Sequence, residues 1–228
     1  MTEPRAVGPW CKDKDVIDSD GVFHGDGSPG NRGNVSLSSE SLSRCVHEVI
    51  DFVDAGGWGQ PPTVFAIVPT ALVAAAEPSL LDQLDDGAEL TPIEQESLPD
   101  DVEGGSPALD EFLATTTWPS EVVGCALVQE IVVLPPEAES DLDDAVAPTL
   151  TDRHAANEAA RTAAESHPDR REARLIAAVL RDGPSLALLQ LRPTDDDDPF
   201  AGVELRTYDN LAPGVVSALY ATLDADEL

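Results

Sequence analysis

Residues 122–134, VVGCALVQEIVVL, constrain the fold of this chain most. The run is rich in β-branched residues, apolar at odd and even positions alike, and stopped by Pro135-Pro136. Strand side chains alternate between faces, so such a run has to be covered from both sides. Residues 63–68 (TVFAIV), 172–180 and 185–192 read in the same way. The last two flank Arg181-Asp182-Gly183-Pro184, in which Asp-Gly between apolar runs signals a hairpin.

Helical spacing surrounds these strands. Leu42, Cys45, Val46, Val49, Ile50 and Val53 share one face, while Arg44, His47, Glu48, Asp51 and Asp54 take the other. Ser38 is placed to cap this helix and Gly56-Gly57 to end it. A short alanine-rich helix follows Pro69-Thr70, and Thr91-Pro92-Ile93-Glu94 has the capping-box pattern of another. Residues 107–115 suit two further helical turns. Residues 152–166 have high helix propensity but almost no large apolar side chain, which predicts an exposed helix. Asn210 is positioned to cap a last helix with Val215, Val216, Leu219, Tyr220 and Leu223 on one face.

This order predicts an α+β fold. It has a mostly antiparallel sheet of about four strands, covered by the N- and C-terminal amphipathic helices. Residues 38–228 read as a single α+β domain, with an acidic linker and the exposed helix at about 137–168. Residues 1–37, dominated by Gly, Asp, Ser and Asn and lacking any period, read as a disordered acidic tail.

Charge narrows the function classes. The chain carries 44 acidic and 13 basic residues, for a net charge of −31. Residues 38–136 hold 18 of the acids and one base, Arg44. That excludes a generic grip on nucleic-acid phosphates or a polybasic hold on anionic lipid. No apolar run approaches the roughly 20 residues of a spanning helix, and the N-terminus lacks the apolar stretch of a signal peptide. Three cysteines make no disulfide framework and fit a reducing cytoplasm.

Catalytic motifs are scarce. Gly25-Asp26-Gly27-Ser28-Pro29-Gly30 spells a dinucleotide fingerprint without the strand before it or the helix within it. Asp13, Asp15, Asp18 and Asp20-Gly21 lack the first and twelfth ligands of a calcium loop. The aspartates at 195–198 read as a solvated charge run. His24, His47, His154 and His167 form no zinc spacing with each other or with cysteine. Cys45 and Cys125 read as small core residues. No metal and no cofactor is expected.

Two features stand out as candidate binding residues. His167, Arg170, Arg171 and Arg174 form the main basic island of an acidic chain, and guanidinium forks suit carboxylate or phosphate. The same arginines also serve to neutralise the protein's own carboxylates. Trp58, in Gly57-Trp58-Gly59-Gln60-Pro61-Pro62, and Trp118, in Trp118-Pro119, each precede a strand. There they can line a groove or plug the end of a core.

Gly-Gly-Trp-Gly-Gln-Pro-Pro at 56–62, Phe65-Ala66-Ile67-Val68-Pro69-Thr70, Gly124-Cys125-Ala126-Leu127, Leu134-Pro135-Pro136-Glu137 and His167-Pro168-Asp169-Arg170-Arg171 carry a resemblance. Together with Trp118-Pro119, they resemble a family of conserved actinobacterial proteins with no assigned activity. The resemblance spans roughly residues 40–223. It implies a cytoplasmic, actinobacterial protein and transfers no catalytic residue.

Three functions follow as expectations. The first is a non-enzymatic acidic protein-interaction module, an adaptor or chaperone-like, whose partner is another protein or a second copy of the chain. The second is a small-molecule or anion binder, or an enzyme, using the 167–174 island. The third is an acidic mimic of nucleic acid that occupies a basic surface.

Overall fold

The computed structural model describes residues 5–6, 38–79, 84, 87–99, 102–135, 138, 147, 153–194 and 204–224. The expected tail therefore lies outside the described residues except for a two-residue strand, β1 (Arg5–Ala6). It runs parallel to β4 (Thr116–Thr117). Most of the acidic linker and all of residues 195–198 also lie outside them.

Helix α1 (Ser39–Ala55) forms where the apolar spacing places it. Leu42, Cys45, Val46, Val49, Ile50 and Val53 are all buried, and the Ser38 hydroxyl accepts from the Ser41 amide at 3.0 Å. Gly57 then reverses the chain at φ 75°, a conformation that any Cβ resists. The chain enters β2 (Thr63–Pro69), passes through α2 (Thr70–Ala76), and returns as β3 (Leu90–Glu94). After α3 (Pro107–Thr115) and β4 comes the long β5 (Gly124–Val133). Helix α4 (Arg153–Ser166), β6 (Arg171–Leu180), β7 (Ser185–Leu191), β8 (Leu205–Arg206) and α5 (Pro213–Asp224) complete the order.

The main sheet runs β3-β2-β5-β6-β7-β8, and every neighbouring pair is antiparallel. It has six strands rather than about four. The additions, β3 and β8, are short edge strands with no apolar alternation of their own to announce them. As the two-sided apolar runs require, both faces are covered. Phe65, Ile67, Ala126, Val128, Ile176, Ala178 and Leu180 meet α1. Val64, Ala66, Cys125, Leu127, Ala177 and Val179 meet α3, α5 and Val73 of α2. Each fully buried Leu, Ile or Phe in these layers stabilises the fold by about 1.5–3 kcal/mol.

Two local expectations are corrected. Thr91-Pro92-Ile93-Glu94 is not a helix start but the body of β3, and its Thr91 hydroxyl bonds that of Thr70 at 2.9 Å. Thr70 N–H donates to Glu89 O and Gln95 N–H to Val64 O, so odd-numbered residues face β2. Residues 90, 92 and 94 turn outward, and Pro92 has no N–H to offer there. A proline so placed blunts an edge strand, which is why a pattern resembling a helix start is compatible with sheet. Asn210 is likewise not the helix cap. It sits left-handed at φ 61° in a turn, and α5 starts at Pro213, the residue type favoured in a first turn.

The predicted hairpin forms between β6 and β7, with Asp182 rather than Gly183 in the left-handed conformation at φ 52°. At the start of β5, a Cβ on Gly124 would lie 2.4 Å from Val179 O and 2.7 Å from a Leu180 methyl, so the close β5–β6 approach excludes any side chain. The described side chains of α4 are exposed or half-buried, as its composition predicts. Among the described residues, no helix is long and apolar enough to cross a membrane.

Candidate functional site: the Trp58 loop, Arg174 and the groove beside Phe52

The strand register lines up Glu130, Arg174 and Gln190 across β5, β6 and β7 on the face that α1 covers. Alternation along β6 puts Arg174 in the same row of positions as Ile176 and Ala178, so its guanidinium is only 1% exposed. A buried guanidinium needs partners on every side, and it has them. One terminal nitrogen donates to Asp54 Oδ1 at 2.8 Å and to Gln190 Oε1 at 3.1 Å. The other donates to Gly57 O at 2.7 Å and lies 3.6 Å from Glu130 Oε1. Gln190 completes the ring by donating to Asp54 Oδ1 at 2.7 Å.

The same cluster fixes the loop after α1. Glu130 Oε1 accepts from the Gly59 and Gln60 amides at 2.8 and 3.2 Å. The Trp58 ring lies 4.4 Å from the Arg174 guanidinium carbon and 5.5 Å from that of Arg192. Stacking a cation on indole at this range is favourable by roughly 0.5–2 kcal/mol. One guanidinium thus holds a helix end, a glycine-rich loop and three strands together.

Beside this cluster opens a groove of about 380 Å³, between the end of α1 and the sheet. Phe52, Val53, Pro61 and Val128 give it an apolar wall, and Glu94 and Glu130 give it acid. Phe52 meets Phe65 edge to face, with centroids 5.7 Å apart, yet stays 51% exposed.

The other candidate residues lie elsewhere. Arg171 and Arg174 are an odd number of positions apart on β6, so they leave the sheet on opposite faces. Arg170 and Arg171 join Arg192, Glu172 and Pro168 around a shallow depression of about 340 Å³, where Arg192 is paired with Glu172. His167 stands in the turn before β6, and its Nδ1 accepts from the Asp169 amide at 3.1 Å. Trp118 is in the opposite layer at 2% exposure, donating to Thr222 Oγ1 at 2.9 Å. The two tryptophans therefore share no groove, and the basic island divides between a buried cluster and a surface depression.

Asp54, Glu130 and Gln190 were not singled out from the sequence. A signal existed in Gln129-Glu130 and Gln190, polar residues inside otherwise apolar strands, which a sheet tolerates only where a partner waits.

Neither buried thiol is poised to react. Burial pushes Cys45 up to about 12, with Glu48 adding to the effect. Burial also pushes Cys125 to about 12, against smaller opposing contributions from Thr222, Arg181 and Trp118. Among the described residues, no group of three His, Cys, Asp or Glu side chains is placed to hold a metal ion.

The chain has no match among curated proteins or among solved structures. A family model does match, over residues 42–224, from Leu42, the first apolar-face residue of α1, to the last residue of α5. That span takes in the Trp58 loop, the Arg174 cluster and both covered sheet faces, and the chain belongs to the family of PPA1309-like proteins.

Proposed function

We propose that this chain is a non-enzymatic, cytoplasmic protein-interaction module of adaptor or chaperone type. The observation that carries the reading is the closure of the Arg174 cluster on itself. A catalytic or anion-binding constellation leaves a base, nucleophile or cation facing the place where a ligand sits. Here the most convergent polar groups, Asp54, Arg174, Glu130 and Gln190, answer one another and the Gly57–Gln60 backbone. Cys45 and Cys125 stay protonated at neutral pH, so neither supplies a thiolate nucleophile. What the fold offers outward is a predominantly acidic surface, broken by a partly apolar groove, and such surfaces meet other macromolecules.

The test is isolation of the native complex at low and moderate salt, followed by reassembly from purified components. A partner of fixed stoichiometry that survives moderate salt is the expected result. A protein that stays monomeric and partner-free while carrying a bound metabolite contradicts it.

A second reading rests on the depression formed by Arg170, Arg171 and Arg192. Three arginines line this hollow, with Arg192 paired to Glu172, and guanidinium forks suit a phosphate or dicarboxylate. Phosphate-dependent stabilisation that is lost in an Arg170→Ser/Arg171→Ser variant supports this alternative.

A further inference from the structure

We propose that the groove beside Phe52 binds a short basic segment of a partner protein through one apolar anchor. The proposal rests on the interaction-module reading and names its docking site. Three observations lead to it.

First, the groove pairs an apolar wall with acid. Phe52 is half exposed and Pro61 exposed at its edge, Val53 and Val128 are buried in its wall, and Glu94 and Glu130 line it. The one cation in the wall, Arg174, is already neutralised by Asp54 and Glu130, so it does not oppose a second cation strongly. Asp51 beside Phe52 and Glu96 two residues beyond Glu94 are exposed and add to the acidity of the same stretches of chain.

Second, the surrounding charge selects the sign of the occupant. Residues 38–136, which supply every lining residue but Arg174, contain 18 acids and one base. A field of that sign attracts Lys and Arg, repels phosphate, and repels a second copy of this chain.

Third, the geometry limits how the segment binds. A volume of about 380 Å³ accepts an anchor side chain with its neighbours. An amphipathic helix needs a groove for successive anchors over several turns. Strand addition along β3 is blocked because Pro92, at an outward position, has no N–H to donate. A single apolar anchor flanked by cations remains.

The experiment titrates the full chain with fluorescently labelled synthetic peptides of three kinds. One has Lys and Arg around a central Leu, one has Ser in place of that Leu, and one has Glu in place of the cations. Phe52→Ser and Glu94→Lys test the groove, and Glu77→Lys, at the end of α2 on the far side of the sheet, controls for charge alone. The melting temperature of each variant is measured in parallel.

The basic Leu peptide is expected to bind wild type about tenfold more tightly than the Ser peptide. Phe52→Ser and Glu94→Lys should each weaken it about tenfold, and Glu77→Lys less than about twofold. Equal binding of all peptides and variants would mean diffuse attraction to an acidic surface and overturns the proposal. Absence of binding, or preference for the acidic peptide, overturns it too. Self-association that depends on Phe52 in sedimentation would replace the peptide with a second copy. A native partner whose complex tolerates Phe52→Ser and Glu94→Lys removes the groove as its site and leaves the module reading standing. Absence of any stoichiometric partner removes that reading.

Discussion

The indole of Trp58 stands 4.4 Å from the guanidinium carbon of Arg174, joining a loop after the first helix to the centre of the sheet. The loop has few apolar anchors of its own. Its position comes from that stack and from the Glu130 carboxylate, which accepts two of its amides. A double-mutant cycle on Trp58→Leu and Arg174→Met should therefore return a coupling energy of about 0.5–2 kcal/mol in denaturant unfolding. Strict additivity would show that the stack is incidental.

Gly124 provides a sharper test of the sheet. With Val179 O at 2.4 Å from a Cβ at that position, Gly124→Ala has to push β5 and β6 apart there. Overpacking of this kind costs about 1–3 kcal/mol, and the obstacle here is backbone, which favours the upper end. Gly214→Ala, in α5 with open space around its Cβ, is the control and should be neutral or stabilising. Equal unfolding midpoints for the two variants would contradict the packing described.

The thiols predict a dependence on alkaline pH. Folding raises Cys45 and Cys125 from 9.0 to about 12, so each side chain binds its proton more tightly folded than unfolded. Their contribution is whole below pH 9 and is lost as pH rises from 9 towards 12. Stability should fall there by up to about 1.4 kcal/mol per pH unit for each thiol. Cys125→Ala should flatten the slope. In a Cys11→Ser background at pH 8, disulfide reagents should label neither remaining thiol until the protein unfolds. Prompt labelling of the native protein would contradict the burial of both.

Much of the fold is legible in the sequence because burial writes itself as periodicity. The α1 face from Leu42 to Val53, the two-sided apolar runs and the Asp182-Gly183 hairpin are each local patterns with one physical solution. β3 is not legible in that way. Thr91-Pro92-Ile93-Glu94 satisfies helix-capping chemistry locally, and only its pairing with Phe65–Pro69 of β2 makes Pro92 an edge-strand proline. The candidate site is less legible still. Proximity along the chain suggested that Arg170, Arg171 and Arg174 act together, but strand alternation sends Arg174 inward with Asp54 and leaves Arg170 and Arg171 at the shallow depression. Grouping Trp58 with Trp118 fails for a related reason, since each precedes a strand but they belong to opposite layers.

The central claim is that Arg174 holds the scaffold together and is not available to a ligand, and thermal unfolding of Arg174→Met with and without added phosphate, sulfate or a dicarboxylate tests it most directly. Removing the cation leaves Asp54 and Glu130 without their shared positive charge, although Gln190 and the Gly59 and Gln60 amides still donate to them. Breaking a buried pair costs about 3–5 kcal/mol, and because these carboxylates keep 28% and 24% exposure the lower end applies. The account predicts a loss of about 3 kcal/mol for Arg174→Met, partly recovered by adding Asp54→Asn, with any response to anions the same in wild type and variant. An anion-specific rise in the melting temperature of wild type that vanishes in Arg174→Met, with little intrinsic loss of stability, would contradict it.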